Sequence, residues 1–359
     1  MLGFCHVNRP LAAMPKPRTL TVVVLVAGAA TGAYARSDLT FISFDHKDWE
    51  LACDNTRTCR AAGYQTEDDA PNATILLTRV AGPDQAVSVQ LQLADEYGPV
   101  ADQLAMSIDG RAVGSVRIDA SNRGNLSDAQ VKVLLPALIK NARIAWSAKG
   151  KTWTISTAGA NAVLLKMDEF QGRLDTPGAL VRKGNKPESS VLPPLAAPEI
   201  QMGAVDPNPQ PVKLTAPQTR DLMAALRKTV KDGSCELVDS KSEDAGEPVI
   251  RHLTHDKLLV SHACWMAAYN SGDGYWVVDA KPPYSAALIT TSATDYSNGV
   301  ILSAQKGRGI GDCFSSATWT WDGKSFVQTS ATTTGMCRQI AAGGAWDLPT
   351  LVTKVRKPR

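Results

Sequence analysis

From Val87 to Leu93 the chain alternates: Val87, Val89, Leu91 and Leu93 fall on one side of an extended backbone and Ser88, Gln90 and Gln92 on the other. That two-residue period marks a half-buried strand. A second alternating run, 74–80, precedes it across the turn residues Gly82-Pro83-Asp84-Gln85. Upstream, 48–54 and 58–65 predict a hairpin around Asn55-Thr56-Arg57, and Asp109-Gly110 predicts another turn. The period then changes. Ser127, with Gln130 three residues on, has the form of a capping box, and Val131, Leu134, Leu135, Leu138 and Ile139 follow at helical spacing. Pro136 is expected to kink this helix or confine it to short pieces. Strands over 142–148 and 152–157 flank Lys149-Gly150-Lys151, and a second helix is predicted over about 159–171, stopped by Gly172.

The alternation stops between Gly184 and Thr219. Eight prolines there, Pro187, Pro193, Pro194, Pro198, Pro207, Pro209, Pro211 and Pro217, are incompatible with a helix or a central strand and predict a semi-extended linker. Thr215 and Gln218 repeat the capping-box form ahead of Leu222, Ala225, Leu226 and Val230. Strands are then expected over 258–264, 275–278, 286–290, 300–304, 318–321 and 325–329, with Asp322-Gly323 turning the last pair. The pattern as a whole predicts an α+β, mainly antiparallel β protein of two sheet domains, 36–183 and 217–359, each with one or two helices, joined by the linker 184–216. A length of 359 residues also suits two cores better than one.

Composition adds a compartment. Residues 1–35 read as a secretory signal: a basic stretch ending at Arg18, an apolar run over 20–31 too short to span a bilayer, and Ala33-Tyr34-Ala35 as the cleavage site. Cleavage is expected after Ala35, and the leader is complete from Met14, which predicts the true start there. Arg9, Lys16 and Arg18 are its only charged residues, so the formal charge of +3 leaves with it and the remainder is neutral. Neutrality excludes nucleic acid as a bulk electrostatic partner. Beyond the leader no apolar run has transmembrane length. The mature chain is expected in the periplasm or secreted.

Six cysteines remain after the leader: Cys53, Cys59, Cys235, Cys264, Cys313 and Cys337. An even number in an exported chain predicts disulfides. Sequence order favours local pairing, 53 with 59, 235 with 264 and 313 with 337. Paired Cys-x-x-Cys spacing of a zinc site is absent.

Candidate chemistry is sparse. Gly307-Arg308-Gly309-Ile310-Gly311 leads into a cysteine and a hairpin, whereas a phosphate loop opens a helix; the glycines are read as serving a tight bend. His252, His255 and His262 lie within eleven residues, and only His252 and His262 share strand parity. They are the candidate metal ligands, needing Asp256 or a remote residue to complete a site. Asp168 and Glu169 diverge by roughly 100° on a helix and are expected as helix-surface charges, with Arg173 as partner. No Gly-x-Ser-x-Gly elbow marks a nucleophile. The aromatic residues concentrate late in the chain. Trp265, Tyr269, Trp276, Trp319 and Trp321 either pack around the disulfides or form a ligand platform.

The combination GRGIGDC, TWTWDGKSF, MCR and a closing Gly-x-Trp, with Cys264-Trp265 through Ala268-Tyr269-Asn270 and the run from Asp168 to Arg173, resembles exported bacterial proteins grouped as "domain of unknown function 1176". The resemblance spans essentially the whole mature chain and implies compartment and architecture, with no reaction. It also implies a small residue, often Gly, where Gln339 stands. The first domain, with Trp49, Cys53 and Cys59 near its start, also resembles the invasion-associated locus B proteins. The function expected is a non-enzymatic binding or cell-envelope module whose partner is an envelope or surface protein or a glycan. No cofactor is expected. The alternative is a hydrolase or metal-dependent enzyme using the region of His252 and His262.

Overall fold

The computed structural model describes residues 41–67, 70–94, 101–231, 233–239 and 245–357; the expected leader, 1–35, and the expected cleavage after Ala35 lie outside them. The alternating runs of the first half become β1 (Ile42–His46), β2 (Trp49–Cys53), β3 (Cys59–Tyr64), β4 (Ala73–Arg79), β5 (Val87–Leu93), β6 (Gln103–Ile108), β7 (Arg111–Arg117), β8 (Arg123–Asn125), β9 (Ile144–Ala148) and β10 (Lys151–Ile155). They form a six-stranded sheet in the order β1-β2-β3-β4-β5-β8 and a four-stranded sheet in the order β10-β9-β6-β7. Every pairing in both sheets is antiparallel. On β5 the predicted inner face, Val87, Val89, Leu91 and Leu93, is buried while Ser88 and Gln90 are exposed. Gln92 breaks the pattern: it is buried and accepts a 2.5 Å hydrogen bond from the Arg123 guanidinium, as a buried amide must find a partner.

Helix α1 (Asp128–Leu138) carries the predicted capping box, with Ser127 Oγ accepting from the Gln130 N–H and Gln130 Oε1 accepting from the Ser127 N–H at 2.9 Å. It runs as one piece through Pro136 rather than breaking; the ring falls in its last turn, close to where the helix would end in any case. Its buried Val131, Leu134 and Leu138 join the main core with Val163, Leu164 and Met167 of α2 (Ala160–Phe170).

The proline-rich stretch is extended but tied down along its length. Leu192 and Leu195 N–H groups donate to Gln171 and Thr56 carbonyls, and β11 (Glu199–Gln201) pairs in parallel with β21 (Lys354–Arg356) at the far end of the chain. Gly203 and Asp206 donate to Trp321 and Leu253. Helix α3 (Ala216–Arg227) follows with the second capping box, from Thr215 and Gln218.

Two more antiparallel sheets complete the fold. One has the order β12-β13-β14-β15, from β12 (Val249–His252), β13 (Lys257–Met266), β14 (Ser271–Asp279) and β15 (Ala286–Ala293). The other has the order β16-β17-β18-β19-β20, from β16 (Asp295–Ser297), β17 (Val300–Lys306), β18 (Phe314–Trp321), β19 (Phe326–Thr333) and β20 (Leu348–Leu351). The architecture is α+β and mainly antiparallel β. Disulfides join Cys53 to Cys59, Cys235 to Cys264 and Cys313 to Cys337, the sequential pairing. A separate apolar cluster is built from both ends of the chain, Ala52, Ala62, Tyr64 and Leu76 against Ile340, Ala345, Trp346 and Leu348. The described residues belong to one compact unit, Leu39–Arg359. No helix among them is long and apolar enough to cross a membrane.

Candidate functional site

A cleft of about 380 Å³ opens between β14–β15 on one side and the β18–β19 hairpin on the other. Its apolar lining is Val277, Leu288, Ile289, Trp319 and Phe326, and its rim carries Lys257, Asp279, Ser285, Lys324, Ser325 and Gln328. That mixture, an aromatic and aliphatic floor with a few polar groups converging from the rim, is the usual constitution of a small-ligand site. Trp319 stands opposite Gln328 on β19, with a bulge between Thr318 and Trp319. Behind it a chain of rings fixes the floor: Trp321 and Phe326 centroids lie 5.5 Å apart, Phe326 and Tyr296 6.4 Å, and Tyr296 and Tyr275 6.2 Å. The Arg251 guanidinium lies 5.9 Å from the Tyr296 centroid, within cation–π range. On the rim, Lys257 Nζ donates to Asp279 at 2.6 Å, which raises the lysine's pKa. Lys324 is exposed and forms no ion pair among the described residues.

The five aromatic residues singled out from the sequence do not make one platform. Trp276 is fully buried in the core of α3 and the first C-terminal sheet, its indole N–H donating to Thr229 Oγ1 at 2.8 Å. Trp321 is 1 % exposed beneath the cleft. Trp265 is half-buried and donates to the Thr291 carbonyl. Tyr269 is 47 % exposed at the β13–β14 turn, away from the cleft lining. Trp319 alone of the five lines the cleft.

The histidines are separated. His262 is buried, its Nδ1 2.7 Å from the Ala263 carbonyl, on a strand register that sets Asp273 opposite Ala263. Burial raises the Asp273 pKa, and the neighbouring imidazole opposes this. His252 and His255 instead line a different, open hollow with Asp206, Pro207 and Thr254. Among the described residues the ligating side chains gathered within metal-binding reach are Asp312, Cys313 and Cys337, and those two sulfurs are bonded to each other.

The surface-charge expectation for Asp168 is corrected. Glu169 is exposed and pairs with Lys166 at 2.7 Å, but Asp168 and Arg173 are both fully buried. Asp168 Oδ2 accepts from the Leu180 and Val181 N–H groups at 2.7 and 3.0 Å, and the Arg79 guanidinium lies 3.7 Å from Oδ1. Arg173 donates to Gln171 Oε1 and to the Val80 and Gly82 carbonyls. Burial raises the Asp168 pKa and lowers that of Arg79 to about 10. This network pins the segment after α2 to the six-stranded sheet.

The glycine-rich signature is also structural. A Cβ on Gly307 would sit 2.5 Å from Cys313 Sγ, and Gly311 has φ +70°, so the glycines let the backbone pass against a disulfide and turn. Asn270 exchanges hydrogen bonds with the backbone N–H and carbonyl of Lys306. Arg308 grips Asp312 through two contacts of 2.8 and 2.6 Å, and Asp312 accepts from the Gln339 N–H. The segment from Met336 onward then docks on the first sheet. Met336 N–H donates to Glu50 Oε1 at 2.7 Å, Arg338 pairs with Asp48 at 3.0 Å, and the Trp346 indole donates to Thr74 Oγ1 at 2.9 Å.

The profile of a family described as "Protein of unknown function (DUF1176)" matches residues 43–353. The "Uncharacterized protein YpfG" of Escherichia coli (strain K12) is 26% identical over 329 residues, covering 85% of this chain and 90% of that relative. No solved structure matches the chain.

Proposed function

The chain belongs to the family of proteins of unknown function DUF1176, and from the geometry of its cleft we propose that it is a non-enzymatic binding module of the cell envelope. The observation that carries this is the meeting of Trp319, Phe326 and Ile289 with Lys324, which has no ion-pair partner among the described residues, and three neutral polar side chains in one cleft. The leader over 1–35, the neutral remainder and the three disulfides support export to the periplasm or beyond. The separation of His252 from His262 argues against the hydrolase alternative, which needs both at one point. The ligand is a protein or glycan of the envelope, held by contact with Trp319 and oriented by the rim.

The test is a thermal-shift screen of the oxidised protein against peptidoglycan fragments, neutral oligosaccharides and peptides, run beside Trp319→Ala. A ligand at about 100 times its Kd stabilises the native state by about 2.7 kcal/mol, so at least one class raises the melting midpoint of the wild type and leaves the variant unmoved. Shifts equal in both proteins, or none in either, contradict binding in this cleft.

A further inference from the structure

The cleft borders a strand edge. In the sheet order β12-β13-β14-β15, β15 is paired on one side alone, and Ala287, Leu288 and Ile289 all line the cleft. Three successive residues of a regular strand would not share a face: Leu288 packs toward the α3 core and Ile289 toward the Trp321 cluster, and the β14–β15 register slips at Ile289, between the Trp276↔Leu288 and Tyr275↔Thr290 pairs, so a cleft that touches all three meets the β15 backbone as well as one face of its sheet.

The two ends of β15 differ in how that edge is treated. At the C-terminal end the backbone is covered by side chains of β17: Ser303 Oγ and Gln305 Nε2 donate to the Ser292 carbonyl. Along Ala287–Ile289, among the described residues, no hydrogen bond reaches the backbone from outside the β14–β15 pair. Exposed edges are ordinarily blunted with charge or proline, yet residues 285–294, SAALITTSAT, contain neither.

We infer that this edge takes an extended peptide segment of a partner protein, which adds as a fifth strand beside β15 and lays alternate side chains against Trp319 and Phe326. This rests on the binding reading above and names its ligand class. Main-chain hydrogen bonds supply affinity in such strand addition, and pockets for alternate side chains supply selectivity. Lys324, without an ion-pair partner among the described residues, favours a segment with a carboxylate near one end, whereas Lys257 is already neutralised by Asp279. A glycan would use Trp319 but would have no use for a row of backbone donors and acceptors.

The experiment is selection from a display library of random peptides of about ten residues, the upper length of ordinary strands, on the immobilised oxidised protein, with Trp319→Ala as counter-target. Enrichment of alternating apolar and polar sequences with an acidic end is expected. A selected peptide should lose about tenfold or more in affinity when alternate amides are N-methylated on its pairing edge, the equivalent of one or two net hydrogen bonds. Lys324→Glu should weaken it about two- to fivefold. The N-methylation control lies in the ligand and needs no variant to fold. Peptides indifferent to N-methylation, or no enrichment over the counter-target, overturn strand addition. If oligosaccharides stabilise the protein through Trp319 while no peptide is selected, strand addition falls and the binding cleft stands; if neither class binds, both fall.

Discussion

Glu50 sits where the end of the chain docks on its beginning. Its carboxylate accepts from the Tyr64 hydroxyl at 2.5 Å and from the Met336 N–H at 2.7 Å. Burial raises its pKa, Asp45 adds to the rise, and the two hydrogen bonds and Arg338 oppose it. The folded protein therefore holds this proton more tightly than the unfolded chain. The contribution favours folding below the unfolded carboxyl's pKa and is lost as the pH rises through the folded one. Glu50→Gln keeps an acceptor for both donors and removes the charge. The urea midpoint of the variant should gain on the wild type as the pH is raised from about 4, near the unfolded carboxyl's pKa, toward neutrality; a constant difference across that range would show that Glu50 titrates normally. Close by, Gln339 has φ +56°, the left-handed region that favours glycine, which gives a physical reason for the small residue implied at that position.

At the scale of elements, the end of α2 shows what one buried carboxylate holds. Asp168→Ala would leave Arg79 and Arg173 without their buried acid and free the Leu180 and Val181 N–H groups, a loss of about 3–5 kcal/mol. Glu169→Ala, one residue on and exposed, should lie within about 0.5 kcal/mol of the wild type. Denaturant unfolding of the two variants checks both, and similar losses would contradict the network. The contrast also marks what was legible in the sequence. Both capping boxes and, Gln92 apart, the β5 alternation are local patterns and fold as they read. The local disulfide pairing is likewise found. Asp168 was misplaced because its partners lie 12 and 13 residues away and on β4, beyond any helical period. Trp319 was legible as a candidate, but its separation from Trp276 and Tyr269 depends on sheet order. The free edge of β15 follows from strands pairing across the chain, which no single run of residues announces.

Across the whole molecule, the residues that look most like a signature build a joint. The Cys313–Cys337 disulfide and the Arg308–Asp312 pair brace the segment whose Met336, Arg338 and Trp346 fasten the end of the chain to the first sheet, while ligand contact is proposed for the cleft lined by Trp319 and Phe326. The division into 36–183 and 217–359 is likewise a proposal about folding units: each half has its own apolar cores, and a further cluster is shared between them. The central claim, a binding cleft built around Trp319 in an exported and oxidised chain, meets its most direct test in native mass spectrometry. The protein is expressed with its own leader and recovered from the periplasm without refolding or reductant, beside Trp319→Ala. The expected spectrum shows a chain beginning at Arg36, about 6 Da lighter than its reduced form for three disulfides, with an additional bound mass that the variant lacks. A bound mass retained equally by Trp319→Ala, or a wild type as bare as the variant, would contradict it.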